Sequence, residues 1–304
     1  MNSSELKVAI IQIAPMVLDK TATWKKLEER IDEAVSQGVD LITWGETLIP
    51  CYPQWISPSG GAKFNNKDQK KVYAKYWKNA LPANDPIIDN LAELSRVHDV
   101  TFMGGIAEQS SGSIYCTLLT VAQKGSLISK HRKIKPTFEE RLVWADGDSK
   151  GLRVFDSKIG PIGNLNCWEN WIPYTRAYLH DLGEMVHVAV WPGSDKLTSN
   201  ISKFMALEGR SWIISASGLI RGEDYSHLTK DEFPFLDTML DRDVWQNGGS
   251  VIVNPKGEEV TKPLLGKEGI LYADLDQQIV IEERHNFDYS GHYSRKDIFD
   301  LTVK

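Results

Sequence analysis

Between Val8 and Gly45 the apolar period changes twice, and that double change limits the chain to a layered α/β fold. Val8-Ala9-Ile10-Ile11-Gln12-Ile13 reads as a short strand. Trp24, Leu27, Ile31, Ala34 and Val35 then recur at helical spacing until Gly38 stops the run, and Asp40-Leu41-Ile42-Thr43-Trp44-Gly45 is a second buried strand. A strand, a crossover helix and a strand predict a parallel pair. Glu46 falls at the carboxyl end of the second strand, the edge where ligands of open α/β sheets collect. Taken alone, it reads equally well as a solvated loop carboxylate.

The same alternation continues downstream. Residues 51 to 85 carry no clean period and predict a long loop with one helix near Lys67 to Trp77, a place for a substrate loop or for decoration. Ile87 to Val97 is an amphipathic helix and Val100 to Ala107 a third strand. Tyr115 to Gln123 and Leu127 to Lys133 form a hairpin turned by Lys124-Gly125-Ser126. A second hairpin is expected from Leu152 to Ser157 and Lys158 to Asn166. Strand Met185 to Trp191, a helix from about Ile201 to Trp212 and strand Ile213 to Leu219 follow. The end of the chain turns β-rich, with strands expected at Gly248 to Asn254, Gly269 to Asp274 and Gln278 to Glu282. No repeat or composition break marks a linker, so the sequence predicts one domain over residues 1–304, two sheets with helices on their outer faces.

Composition narrows the class of function. With 41% hydrophobic and 25% charged residues the chain is globular, and a net charge of −6 with dispersed Lys and Arg offers no footprint for nucleic acid. Three cysteines, an odd number, argue against a disulfide framework and for a reducing compartment. The apolar run from Val8 lacks a basic flank and is broken by Gln12 and Pro15, so a strand is expected there and not a signal peptide. No run approaches the length of a membrane span. A cytoplasmic protein without membrane or nucleic-acid partners is the expectation.

The chemistry centres on Asn166-Cys167-Trp168-Glu169-Asn170, where a strand gives way to helical spacing. Asn170 suits an N-cap, Pro173 a first helical turn, and Ile172, Ala177, Tyr178 and Leu182 fit a helix stopped by Gly183. A thiol at a helix N-terminus meets unpaired N–H groups, which favour thiolate and predict a lowered pKa. A buried structural cysteine fits the same stretch. There is no phosphate loop, no His-Glu-x-x-His and no CxxC pair. His131, His180 and His187 are candidate bases for a Cys–His pair, but the pattern puts His180 in the following helix and His187 in a core strand.

Three motifs together resemble the nitrilase superfamily of carbon–nitrogen hydrolases: Gly45-Glu46-Thr47-Leu48-Ile49-Pro50, His131-Arg132-Lys133-Ile134-Lys135-Pro136-Thr137, and Asn166-Cys167-Trp168-Glu169-Asn170. Trp191-Pro192 and Gly291-His292-Tyr293 extend the resemblance over nearly the whole chain. The Cys-Trp-Glu-Asn form and Glu140-Arg141-Leu142-Val143-Trp144 resemble the nitrile-cleaving branch. The resemblance implies an α-β-β-α sandwich and hydrolysis of an organic nitrile to the acid and ammonia, with no metal or organic cofactor. Cyanide hydration or dihydration, and hydrolysis of a small amide by the same residues, are the alternatives. It assigns Cys167 as nucleophile, Glu46 as general base, Lys133 as stabiliser of the anionic intermediate, and Glu140 as the positioner of Lys133 and water, with Glu139 as its competitor. Tyr52, Trp144, Trp168 and Trp191 are pocket candidates, although aromatic residues more often serve as plain core. Glu169 reads as a loop carboxylate or a brace, and Cys51 and Cys116 as packing residues. The chain ends soon after Leu301, where many nitrilases carry a longer tail. A homodimer is expected, paired through the helix after Cys167 and the one near Ile201, with Ile172, Tyr178 and Phe204 as anchors and long filaments disfavoured.

Overall fold

In the computed structural model, which describes residues 5–304, the first parallel pair is β1 (Glu5–Gln12) and β2 (Leu41–Ile49), joined by α1 (Lys20–Val35). Met1–Ser4 of the expected 1–304 unit lie outside the described residues. Next come α2 (Lys67–Asn79), α3 (Pro86–His98), β3 (Thr101–Ser110), β4 (Ser113–Ala122) and β5 (Leu127–Arg132). The second half holds β6 (Ile162–Asn166), α4 (Pro173–Asp181), β7 (Val186–Trp191), α5 (Asp195–Gly209), β8 (Trp212–Ser217) and β9 (Leu219–Arg221). It closes with α6 (Leu236–Leu240), β10 (Val244–Val253), β11 (Leu264–Leu265), β12 (Gly269–Asp276) and α7 (Gln277–Asn286). One sheet runs β12-β1-β2-β3-β4-β5 and the other β11-β10-β8-β7-β6, with β9 paired to β10.

The period of two along each strand decides the layers. Val8, Ile10, Leu41, Met103 and Leu118 face inward and meet Val186, Val188, Val190, Ile214 and Ile252 of the other sheet. Their neighbours Ala9, Ile11, Ile42 and Phe102 face outward and are covered by Trp24, Leu27 and Ile31 of α1 and by Ile88 and Leu91 of α3. On the far side Ile201, Met205 and Ala206 of α5 cover Ala189, Trp191, Ile213 and Val251. The result is the expected α-β-β-α sandwich. No helix among the described residues is long and apolar enough to cross a membrane.

Three expectations of local structure need correction. Gln278 to Glu282 is not a strand but part of α7: Asp276, the last residue of β12, caps it by accepting from the Gln278 N–H at 2.8 Å. The β-branched Ile279, Val280 and Ile281 mimic a strand, but Asp276 turns the chain into a helix as its N-cap. Leu152 to Ser157 forms no strand, only the single bridge Phe155–Ile162. The turn after Cys167 is a 3-10 turn over Cys167–Trp171, and α4 starts only at Pro173. Of the three suggested pairing anchors, Ile172 and Phe204 are exposed and Tyr178 is half-buried.

The two sheets approach closely beside Glu46. A Cβ placed on Gly45 would lie 2.5 Å from the Gly218 nitrogen and 2.8 Å from the Ser217 carbonyl carbon, both backbone atoms. Neither can rotate away. Gly45→Ala is therefore expected to cost about 1–3 kcal/mol of stability, as overpacking does, read as a lower urea midpoint. An unchanged midpoint would mean that the sheets can separate at this point without loss.

Candidate active site

Each reactive side chain is delivered by a local irregularity. In β2 the register against β3 jumps between Trp44 and Ile49, and Thr47 takes a φ of 46°. This bulge lifts Glu46 out of the ladder into the interior, as bulges beside sites commonly do. Lys133 follows the last residue of β5, its N–H still donating to the Cys116 carbonyl of β4 at 2.8 Å. Cys167 begins the 3-10 turn after β6 with a φ of 46°, a left-handed conformation that strains any residue with a Cβ.

The three segments meet around one ammonium group. Lys133 Nζ donates to Glu46 Oε1 at 3.0 Å and to Glu140 Oε2 at 2.7 Å, and all three side chains are buried. Glu140 is fixed in turn by the Thr137 N–H at 2.6 Å and the Tyr52 hydroxyl at 3.0 Å. The reactive atoms of Glu46, Glu140 and Cys167 lie within 4.8 Å of one another. Such a spacing would suit a metal ion, but Lys133 already holds the cation's place between the two carboxylates, and a second cation would meet it as a like charge. Glu169 joins the parts: its carboxylate accepts from Ile134 N at 2.6 Å and Asn166 N at 2.9 Å and contacts His131 Nε2 at 2.8 Å. One side chain thus ties the segment carrying Lys133 to the turn carrying Cys167.

Burial governs the proton balance. It pushes Glu46 up to about 7, against the pull of Lys133 and with help from Glu140. Burial alone would lower Lys133, yet Cys167, Glu46 and Glu140 together outweigh it and hold the ammonium well above its ordinary value. For Cys167 the expected lowering is reversed: burial, with Glu46 beside it, raises the thiol well above its usual range, and Lys133 offsets only part of this. The five-residue 3-10 turn lends it little of the dipole that a longer helix would. A thiol that keeps its proton needs a base within reach, and a carboxylate titrating near neutrality meets that need.

A cavity of about 280 Å³ opens onto this group, with Cys167, Glu140, Tyr52 and Trp168 in its wall. A larger apolar hollow of about 510 Å³ nearby shares Ile56 but reaches none of the reactive side chains. Of the four aromatic residues expected at the pocket, Tyr52 and Trp168 line it, whereas Trp144 and Trp191 stand behind it. Trp144 donates to the Tyr76 hydroxyl at 3.2 Å with its ring 5.7 Å from Lys133 Nζ, and Trp191 donates to Ser215 Oγ at 2.9 Å. Glu139 lies on the cavity wall, away from Lys133's hydrogen bonds. Sequence reasoning missed Phe138, Leu197, Trp245 and Gln246 in that wall, which no motif marks. It also left Cys116 as packing, but Cys116 Sγ lies 3.3 Å from Glu46 Oε1, the oxygen that Lys133 also holds. Glu46 Oε2 is buried without a hydrogen-bond partner.

A buried glutamate, lysine and cysteine brought together on a four-layer sandwich define a hydrolase of carbon–nitrogen bonds. The sequence profile of the carbon–nitrogen hydrolase family matches residues 7–284, and the chain belongs to that family. It is 32% identical to Nitrilase 2 of Arabidopsis thaliana over 305 residues, 99% of this chain and 89% of that one. It is also 32% identical to an aliphatic nitrilase of Rhodococcus rhodochrous over 316 residues, 98% of this chain and 82% of the relative. The crystal structure of a carbon–nitrogen hydrolase from Helicobacter pylori superposes with a TM-score of 0.72 at 16% identity, covering 98% of each chain, a likeness of fold.

Two outcomes follow from the electrostatics. Because Glu46 acts as a base only when ionised, kcat/KM should rise as pH rises through about 7 and then level off. Ammonia release measured across that range checks it, and a rise centred near the ordinary glutamate value would overturn the raised pKa of Glu46. Lys133→Met should cost about 3 kcal/mol in kcat/KM, the scale of a lost oxyanion donor. Lys135→Met, whose ammonium is exposed beside Asp146, should change little. Equal losses in the two would make the basic segment structural.

Proposed function

We propose that this chain is a nitrilase, converting an organic nitrile and two waters to a carboxylic acid and ammonia. The observation that carries the reading is the buried Glu46–Lys133–Glu140 group within reach of Cys167 on the wall of an aromatic-lined cavity. Cys167 Sγ adds to the sp carbon as Glu46 takes the thiol proton, and that proton passes to the nitrile nitrogen to leave a thioimidate. Lys133 meets the negative charge that develops on nitrogen. Water, deprotonated by Glu46, adds to the thioimidate carbon. The C–N bond then breaks, ammonia departs with the proton, and a thioester remains. A second water adds the same way, the C–S bond breaks, and the thiol regains its proton as the acid leaves. In this scheme Glu140 never bonds to substrate; it holds Lys133 and is itself held by Tyr52.

The size and lining of the cavity favour an organic nitrile over cyanide. Trp168, Trp245, Phe138 and Leu197 provide apolar surface that a triatomic substrate would leave bare. Kinship with nitrilases over nearly the full chain supports nitrile over amide as the substrate.

Incubation with a nitrile, the matching amide and cyanide, followed by assay of ammonia and acid, tests the reading. Acid and ammonia from the nitrile in excess of those from the amide are expected, with Cys167→Ala folded by circular dichroism and inactive. Turnover of the amide or of cyanide alone would replace the proposal with the corresponding alternative.

A further inference from the structure

Behind the Cys167 turn lies a ring of polar side chains, linked by hydrogen bonds and, at His180, by ion-pair contacts, that this chemistry does not use. Asn170 stands three residues after the nucleophile, and its Nδ2 donates to the carbonyls of Cys167 at 2.9 Å and Leu165 at 3.3 Å. Its Oδ1 lies 2.8 Å from His187 Nε2, and His187 Nδ1 lies 3.0 Å from Glu184 Oε2. Glu184 Oε1 is 2.9 Å from His180 Nδ1, and His180 Nε2 is 3.5 Å from Glu208 Oε2; both contacts are near enough for ion pairing, and neither has hydrogen-bond geometry. Arg176 pairs with Glu208 at 2.5 and 3.1 Å, and its Nη1 returns to the Asn170 carbonyl at 2.8 Å. The ring begins at the side chain of Asn170 and ends at its backbone.

The donors and acceptors of this ring leave little choice of arrangement. Two carbonyls claim the amide NH₂ of Asn170, so its oxygen can only accept and His187 Nε2 must donate. Burial alone would raise Glu184, but His187 and His180 outweigh it and hold the carboxyl down at about 2, so an anionic carboxylate faces His187 Nδ1. His187 is 2% exposed and sits on β7, parallel to β6, whose end carries Cys167. An apolar side chain would fill that site without a desolvation cost. What His187 adds is direction: it orients the amide that holds the Cys167 carbonyl. The left-handed backbone of Cys167 persists only where its surroundings over-determine it.

We propose that His187 is a positioning residue for the nucleophile, acting through the Asn170 amide to fix the strained turn that aims the Cys167 thiol at Glu46 and Lys133. The inference rests on Cys167 as the nucleophile and not on which carbon–nitrogen bond it attacks. His187→Ala frees the amide, whereas His187→Gln keeps an N–H donor at the reach of Nε2. Expected for His187→Ala is a kcat lower by about a hundredfold, the scale of a misplacement near 1 Å. KM should stay within about twofold and the enzyme should remain folded by circular dichroism, since only the reacting geometry is lost. His187→Gln should recover most of kcat. Labelling of Cys167 by iodoacetamide, which needs no substrate, should slow in the same order and so separates this inference from the choice of nitrile. Should His187→Ala not fold, Asn170→Ala, which leaves His187 paired with Glu184, is expected to show the same loss confined to kcat. Unchanged kcat in the folded variants, or His187→Gln as impaired as His187→Ala, would overturn the proposal.

Discussion

A single ammonium group buried between two carboxylates is the interaction on which the rest of this structure depends. Lys133 has no exposed side-chain surface, and removing it would leave two carboxylates facing each other uncompensated in the interior, a change costing about 3–5 kcal/mol. The fold must therefore bring β2, the end of β5 and the turn after it to one point. It does so with a bulge in β2, with the hydrogen bond from Lys133 N to Cys116, and with a turn in which Thr137 donates to Glu140. Polar groups at this density rigidify a site when they are satisfied.

The unsatisfied atom is as informative as the satisfied ones. Glu46 Oε1 is claimed by Lys133 and Cys116, while Oε2 is buried with no hydrogen-bond partner. A carboxylate pinned by one oxygen presents the other in a defined direction, which a general base requires. The same burial that raises Glu46 to about 7 also keeps Cys167 protonated, so thiol and base form a matched pair. In the proposed reaction, activation depends on proximity to a tuned carboxylate more than on a pre-formed thiolate.

Strain and support lie side by side at the end of β6. Cys167 meets the cavity, while Asn170, His187, Glu184 and Arg176 hold the turn. Glu169 adds a third tie, to the segment bearing Lys133. The nucleophile is thus set by contacts from β7, α4 and the β5 end, none of which need touch a substrate.

The sequence by itself determined the layers and the reacting groups. Period-two strands and period-3.6 helices are local properties, so the parallel β1–β2 pair, α1, α3 and the β4–β5 hairpin could be read directly, and Glu46, Lys133 and Cys167 stood in motifs at element ends. Tertiary structure decided what depends on partners distant in the chain. The β-branched run after Asp276 became helix under the Asp276 cap, and Cys116 became a neighbour of Glu46 through strand pairing across β3. The thiol pKa reversed because burial, invisible in sequence, outweighs a short turn's dipole. Trp144 and Trp191 retreated behind the cavity while Trp245 and Phe138 entered it, since which face an aromatic residue presents is set by packing and not by composition.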